Sequence, residues 1–200
     1  MITTVILVTG FGPFDNISTN PTEELVGYLE RSHEDVESTV LPVAYDKARD
    51  RIIKRLEKND IHSVISFGLN PFIGHFNIEE IAVNIRASEV PDVDGVSGGD
   101  QPVRKGGPLA LRSRLPTVDI QRKLRDSKIP ARRSFSAGVY ICNEVFYTLL
   151  DELGSEKMAG FIHIPQSTGN ISENPRLYRS PHMSMDMIRA GADIIMDSIR

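Results

Sequence analysis

The sequence predicts an α/β fold: a single domain of three layers, α/β/α, with a mostly parallel twisted central sheet. The first observation is that short apolar runs rich in β-branched residues, such as 5–8, are typical of strands buried on both faces. The second is that helical segments alternate with these runs through short connections, and the order βαβαβ is typical of a parallel sheet flanked by helices. The third is size, because 200 residues with 40% hydrophobic content can bury one sizeable core. We therefore expect residues 1–200 to form one domain.

Each predicted element follows from its local pattern. Asn20 can cap a helix, Pro21 suits the first turn, and Glu23 and Glu24 match the positive end of the helix dipole. The last predicted helix has apolar residues spaced alternately by three and four, which places them on one face. In chain order, strands are predicted at 5–8, 39–43, 63–67, 78–85 and 157–165, and helices at 20–30, 45–58, 116–127, 139–150 and 183–199.

Several segments lack either periodicity. Residues 86–108 are rich in Gly, Pro and Asp, and a structureless run of this length inside a compact domain is usually functional or mobile. We interpret this segment as a lid or an assembly arm, with a plain surface excursion as the alternative. Residues 166–181 are polar and predict a loop. A loop is also expected at 9–16, where Phe11 and Phe14 would either plug the sheet edge or line an apolar pocket.

Composition argues against several classes of protein. The net charge of −4 argues against a general nucleic-acid binder. No run approaches the ~18 apolar residues needed to cross a bilayer, so no membrane partner is expected. A single cysteine cannot form an internal disulfide, which excludes a stapled secreted scaffold and favours a reducing, cytoplasmic location. None of the five histidines has the short regular spacing of a metal site, and neither a metal nor a cofactor is expected.

The lone cysteine, Cys142, is the strongest candidate for chemistry. It follows the small-residue turn 136–138 and lies in the first turn of a predicted helix. Unpaired N–H groups and the positive dipole end favour a thiolate there, which is the nucleophilic form, and could also hold a developing oxyanion. Since a lone cysteine is more often a small buried apolar residue, a catalytic role requires a base and a group that orients the base.

Two further residues meet that requirement. His163 ends an apolar strand, a position that brings a side chain to the rim of a parallel sheet, although a hydrogen-bonded core histidine is the alternative. Glu79 alternates with Ile81 and further aliphatic residues in the predicted strand, so it points towards the apolar face, where a carboxylate needs a partner. Its neighbour Glu80 would face solvent. Together, Cys142, His163 and Glu79 can be a nucleophile, a base and an orienting acid.

Several motifs follow one another along nearly the whole chain: Val8-Thr9-Gly10-Phe11-Gly12-Pro13-Phe14, Asn20-Pro21, Leu41-Pro42-Val43, Gly68-Leu69, Ile78-Glu79-Glu80-Ile81-Ala82-Val83-Asn84, Pro91-Asp92 with Gly95, Leu115-Pro116, Ser136-Ala137-Gly138-Val139-Tyr140-Ile141-Cys142-Asn143 and Phe161-Ile162-His163-Ile164-Pro165. In these motifs the chain resembles pyrrolidone carboxyl peptidases, also called pyroglutamyl peptidases I, a family of cysteine peptidases. The resemblance implies the same catalytic set, Cys142, His163 and Glu79. It further implies removal of N-terminal pyroglutamate from peptides through an acyl-enzyme, and assembly into homodimers or homotetramers.

The resemblance also implies a pocket for the pyroglutamyl ring, which is small, uncharged and mostly apolar on its faces. Backbone groups of the turn that includes Leu69 and Asn70 are expected to bind the lactam. The pocket wall is expected to comprise Phe11, Phe14, Val90, Tyr140 and Ile141.

The chain departs from the family pattern at two places that leave alternatives open. The run Asn-Pro-Phe-Ile at 70–73 replaces a small residue and a Gly-Arg pair, which would permit another small cyclic or amino-acid amide as substrate. Glu89 stands where the family commonly has an arginine near the oxyanion, and an anion there would oppose catalysis. Arg86 is a candidate replacement for that arginine. The alternatives to a pyroglutamyl peptidase are therefore a cysteine amidase of different specificity and a catalytically weakened ligand-binding homologue.

Overall fold

The computed structural model of the protein describes residues 5–14, 19–58 and 61–200, so Asp15 and Asn16 of the predicted loop lie outside the described residues. The strands are β1 (Val5–Phe11), β2 (Val36–Leu41), β3 (Ile61–Leu69), β4 (Phe76–Glu79), β5 (Ile81–Val83), β6 (Ala110–Arg112), β7 (Ala131–Ser134), β8 (Met158–Ile164), β9 (Gln166–Ser167) and β10 (His182–Met183). The helices are α1 (Pro21–Ser32), α2 (Tyr45–Leu56), α3 (Thr117–Asp126), α4 (Ile141–Glu152), α5 (Thr168–Glu173) and α6 (Met185–Met196).

A mixed sheet forms the centre of the molecule. Among the described residues it has six strands, in the order β2-β1-β3-β8-β4-β7. The strands β2, β1, β3 and β8 run parallel, whereas β4 pairs antiparallel with β8 and parallel with β7. The predicted α/β class with a mostly parallel sheet is thus confirmed, and the last two strands run in the reverse direction.

Helices cover both faces of this sheet. Strand residues such as Val8 and Ile162 pack with the apolar sides of α1, α3 and α6. Their neighbours along the strands, such as Leu7 and Phe161, pack with α2 and α4. Because successive side chains of a strand point to opposite faces, strands that are apolar throughout require a helical layer on each side.

The helix starts follow the signals in the sequence. Asn20 caps α1, since its Oδ1 accepts the Thr22 N–H at 3.0 Å, and Pro21 begins the first turn. In α6 the buried residues include Ile188, Ala192 and Ile195, which belong to the predicted apolar face. Within the described residues, no helix is both long enough and apolar enough to span a membrane.

The predicted strand 78–85 is wrong as a single element, because the chain leaves the central sheet at Glu80. The Glu80 N–H donates to Ser134 O at 2.7 Å, while β5 pairs with β6 in a separate small sheet. The predicted solvent-facing position of Glu80 is also wrong. Its carboxylate is buried, accepts the Thr117 hydroxyl at 2.6 Å and pairs with Arg133.

Other element boundaries differ from the predictions. β1 continues to Phe11, and β2 begins at Val36, three residues earlier than predicted. The sequence does not predict β7, because Ala-Arg-Arg-Ser has no apolar alternation and the strand lies at the sheet edge. The loop predicted at 166–181 contains β9, α5 and a 3-10 turn at 175–177.

The segment 86–108 is irregular, with a bridge between Arg86 and Gln101. Its path is held by Asp92, whose carboxylate is buried. This carboxylate accepts the N–H of Tyr45, the first residue of α2, at 3.0 Å, and two N–H groups of its own loop at 2.9 and 2.8 Å. Because the same side chain binds the loop and the helix, the segment is fixed against the start of α2.

Candidate active site

Cys142 is the second residue of α4 and is half-buried. The turn before the helix depends on Gly138, whose φ of +79° lies in the left-handed region that favours glycine. Tyr140 precedes the helix and supplies no side-chain cap to its first turn. Val145 and Phe146, which follow on the helix, are fully buried against the sheet. The helix is therefore anchored by its apolar side while its first turn presents the sulfur.

His163 is the next-to-last residue of β8 and pairs directly with Gly68 of the neighbouring strand β3. A Cβ atom on Gly68 would lie 3.1 Å from Cys142 Sγ and 2.7 Å from the Phe161 ring. The absence of a side chain at position 68 therefore makes room for the sulfur next to the strand residue that pairs with His163.

Glu79 approaches His163 from the other side. β4 runs antiparallel to β8, with Asn77 directly opposite His163. Since Glu79 is two residues further along, it shares the face of Asn77 and meets the imidazole diagonally. Glu79 Oε1 lies 2.8 Å from His163 Nδ1. Glu79 is completely buried, and its Oε2 has no hydrogen-bond partner among the described residues, so the imidazole is the partner that compensates its charge.

The protonation of His163 reflects these two neighbours. Burial alone lowers the pKa of an imidazole, and His163 is only 6% exposed. The neighbouring Cys142 and Glu79 outweigh burial and raise the pKa of His163 to about 9, with Glu79 bound to Nδ1. The imidazolium is therefore the favoured form of His163 at neutral pH.

A cavity of about 310 Å³ opens next to the sulfur. Cys142 lines this cavity. Six of the seven residues expected to bind substrate line it as well, namely Phe11, Phe14, Leu69, Val90, Tyr140 and Ile141. Asn70 is not among the lining residues. Its N–H donates to Ile164 O at 2.9 Å and its side-chain oxygen accepts the Phe72 N–H at 3.0 Å, so both groups serve to shape the turn.

Five further residues line the cavity and were not among those expected to bind substrate: Asn20, Val43, Pro71, Phe72 and Ser88. Asn20, Val43, Pro71 and Phe72 lie in the connections that follow β1, β2 and β3. Because these strands run parallel, their carboxyl ends meet at one edge, where ligands bind in open α/β sheets. The connections that follow the parallel strands could therefore have been predicted to line the cavity, whereas nothing in the local sequence indicates this for Ser88.

Glu89 and Arg86, the candidate replacement for the family's arginine, both lie outside the cavity lining. Glu89 is exposed. The Arg86 guanidinium stacks over the Tyr45 ring at 4.2 Å and lies 3.1 Å from Asp46 Oδ1 and 3.5 Å from Glu144 Oε1. Arg86 is therefore held in a buried cluster behind the cavity wall. The described residues that line the cavity include no Asp, Glu, Lys, Arg or His.

Glu144, two residues after Cys142 on α4, is a completely buried carboxylate, as Glu79 on β4 is. Neither of its oxygens has a hydrogen-bond partner among the described residues, and the Arg49 Nη1 is 3.9 Å away. Burial raises the pKa of Glu144, and the charges of Arg86 and Arg49 oppose this rise only in part, so that the pKa is about 7. Glu144 faces the arginines rather than His163, so it is separate from the sulfur–imidazole–carboxylate arrangement.

The described residues contain no group of three or more His, Cys, Asp or Glu side chains placed to hold a metal ion. A sulfur atom beside an imidazole that a buried carboxylate binds has the parts needed for covalent acyl transfer. With the sulfur in the wall of an apolar cavity, the fold and the site define a class: the cysteine-dependent hydrolases of α/β fold.

Comparison with known proteins identifies the family within this class. The family described as pyroglutamyl peptidase matches residues 4–200. A pyrrolidone-carboxylate peptidase of Pyrococcus furiosus is 40% identical over 205 residues, covering 97% of this chain and 99% of the relative. Another, from Halalkalibacterium halodurans, is 36% identical over 194 residues, covering 93% and 94%. The chain belongs to the pyroglutamyl peptidase family and is a cysteine peptidase.

Solved structures agree with this assignment. The structure of pyrrolidone carboxyl peptidase from Pyrococcus furiosus superposes with a TM-score of 0.90 at 35% identity and covers 97% of both chains. That of the enzyme from Thermus thermophilus gives a TM-score of 0.89 at 31% identity, covering 97% of this chain and 100% of the other. The likeness therefore extends over the whole fold.

Proposed function

We propose that this protein hydrolyses the amide bond that follows an N-terminal pyroglutamyl residue in peptides, with Cys142 as nucleophile, His163 as acid and base, and Glu79 as the orienting carboxylate. The observation that carries the proposal is the position of Cys142, which lines an uncharged apolar cavity and whose sulfur lies beside Gly68, the residue that pairs with His163. Family membership supplies the substrate class.

In the first half of the reaction the Cys142 thiolate attacks the amide carbonyl carbon, and a carbon–sulfur bond forms. The His163 imidazolium then donates its proton to the leaving nitrogen as the carbon–nitrogen bond breaks, which leaves a thioester. The raised pKa of His163, about 9, keeps this proton available at neutral pH. Glu79 holds the ring through Nδ1, so the proton to be transferred is on Nε2.

In the second half a water molecule gives a proton to His163 and attacks the thioester, releasing pyroglutamate and restoring the thiolate. Both tetrahedral intermediates carry an oxyanion, and the start of α4 is suited to hold it. The N–H groups of Asn143 and Glu144 donate to Tyr140 O at 3.1 and 3.2 Å. The N–H of Cys142 itself is the donor we assign to the oxyanion, together with the dipole of this twelve-residue helix.

The cavity supports an uncharged ring as the acyl group. An ordinary N-terminal residue carries an ammonium group, which would need a carboxylate in the pocket. The described lining offers none, whereas Phe11 and Phe14 present aromatic surface suited to the faces of a lactam ring. Pro71 and Phe72 stand where the family pattern differs, so a cysteine amidase acting on another small cyclic amide is the second candidate.

A fluorogenic pyroglutamyl amide tests the proposal. We expect release by the wild type and none by Cys142→Ser, with Val118→Ala as a matched control because Val118 is exposed on α3, across the sheet. Far-ultraviolet circular dichroism checks folding of each variant. No release by folded wild type, together with thiol labelling of Cys142 faster than in denatured protein, would favour the amidase of different specificity. Neither turnover nor enhanced labelling would favour the ligand-binding homologue.

Three further expectations belong to this proposal. We propose a reducing, cytoplasmic location, which a single half-buried thiol needs to remain active. We propose a homodimer or homotetramer, supported by large exposed side chains such as Leu109 and Phe135, and measurable by light scattering. We also propose one domain in which segment 86–108 covers the site, supported by Ser88 and Val90 in the cavity lining.

A further inference from the structure

Phe72 is an aromatic side chain at the mouth of the cavity. It lines the same cavity as Cys142, yet 85% of its surface is exposed. Its neighbour Pro71 also lines the cavity. Contact with an apolar part of a bound ligand would remove this exposed ring from water, which favours binding.

The turn that carries Phe72 is fixed to the strand that carries His163. Gly68 pairs with His163 and Leu69 with Ile164 in the parallel ladder. The ladder continues into the turn, because the Asn70 N–H donates to Ile164 O at 2.9 Å. Asn70 then fixes Phe72 itself, since its Oδ1 accepts the Phe72 N–H at 3.0 Å. Phe72 therefore lies on the His163 side of the cavity.

Acyl transfer places the leaving group on that same side. The proton that the departing nitrogen needs comes from His163, so the residue after the scissile bond must pass close to the imidazole. If the acyl ring packs against Phe11 and Phe14, as in the proposed function, the mouth of the cavity is left for the following residue. The lining has no cation to pair with an acidic side chain at this point.

We propose that Phe72 and Pro71 form a binding subsite for the residue that follows pyroglutamate, and that this subsite selects peptides with an aromatic or large apolar residue there. The inference rests on the proposed function. It names Phe72 as a specificity-determining residue for the leaving group, separate from the pocket that binds the pyroglutamyl ring.

The test compares two substrates, pyroglutamyl-phenylalanine amide and pyroglutamyl-alanine amide, by chromatography of the released amino-acid amide. We expect the wild type to favour the phenylalanine substrate roughly tenfold in kcat/KM, the size of one aromatic contact. Phe72→Ala should reduce this ratio to about two by lowering kcat/KM for the phenylalanine substrate alone. Phe135→Ala is the matched control, because Phe135 is also exposed but does not line this cavity.

The outcomes separate this inference from the proposed function. If the wild type cleaves both substrates equally, or if Phe72→Ala keeps the wild-type ratio, the subsite is refuted while pyroglutamyl hydrolysis stands. If neither substrate is cleaved by folded wild type, the proposed function fails and the subsite fails with it. A merely structural role of Phe72 would lower both kcat/KM values together and leave their ratio unchanged, which also overturns the inference.

Discussion

Replacement of Glu144 by glutamine should change how the stability of this protein depends on pH. Glu144 is completely buried and faces Arg86 at 3.5 Å and Arg49 at 3.9 Å. Burial raises the pKa of Glu144 from 4.5 to about 7, these two arginines lower it, and the nearby Asp46 and Asp50 raise it further. Between pH 4.5 and 7 the folded chain therefore keeps a proton that the unfolded chain releases.

The magnitude follows from this difference in pKa. A group that binds its proton more tightly in the folded state makes the free energy of unfolding fall as pH rises. A pKa of about 7 in place of 4.5 corresponds to roughly 3 kcal/mol lost between these pH values. Glutamine does not titrate, so the variant lacks this loss. Relative to the wild type, Glu144→Gln should become more stable by about 3 kcal/mol as pH rises from 4.5 to 8.

Urea unfolding followed by circular dichroism at several pH values measures this difference. Glu152→Gln is the control, because Glu152 is exposed at the other end of α4 and its replacement should leave the pH dependence as in the wild type. Parallel curves for the wild type and Glu144→Gln across this pH range would refute the reasoning, since they would mean that the buried carboxylate does not retain its proton.

Three predictions concern the proposed catalytic side chains. Gly68→Ala should lower kcat/KM about 100-fold, because the added methyl group would lie 3.1 Å from the Cys142 sulfur and displace it. Gly74→Ala is the control and should retain activity, since its methyl group would have its nearest contact at 3.4 Å. Equal activity of the two variants would contradict this prediction. Glu79→Gln should lower kcat/KM roughly 1000-fold, because an amide cannot stabilise the His163 imidazolium, and a loss under tenfold would count against the assigned role. In the wild type, kcat/KM should fall above pH 9 as His163 loses its proton. In Glu79→Gln this fall in kcat/KM should occur at lower pH. A fall at the same pH in both proteins would show that a group other than His163 titrates.

The sequence predicts those parts of the molecule that local patterns determine. Apolar runs mark the parallel strands, and the turn 136–138 before a helix marks Cys142. The structure places Glu79 against His163, although the strand pattern that led to Glu79 is wrong beyond Glu80. Glu79 faces inward because β4 packs beside β8, a contact between residues 84 positions apart.

What the sequence does not predict depends on contacts between distant segments. β7 has the sequence of a polar loop and forms a strand only because β4 offers it a free edge. Glu80 reads as a solvent-facing residue and is buried because Thr117 and Arg133 supply its hydrogen bonds. The run 70–73 stands out in the sequence, but the place of Phe72 at the cavity mouth follows only once β3 and β8 are paired.

The pairing of β4 with β8 makes the contact between Glu79 and His163 sensitive to insertions and deletions. A shift of one residue in its pairing with β8 would turn Glu79 to the opposite side of the sheet and bring Ile78 against the imidazole. Changes of chain length in the connection at 70–74 can be absorbed before the strand begins, whereas a deletion inside β4 cannot. Between β3 and β7, a change of length within β4 itself is therefore the one expected to abolish the contact between Glu79 and His163.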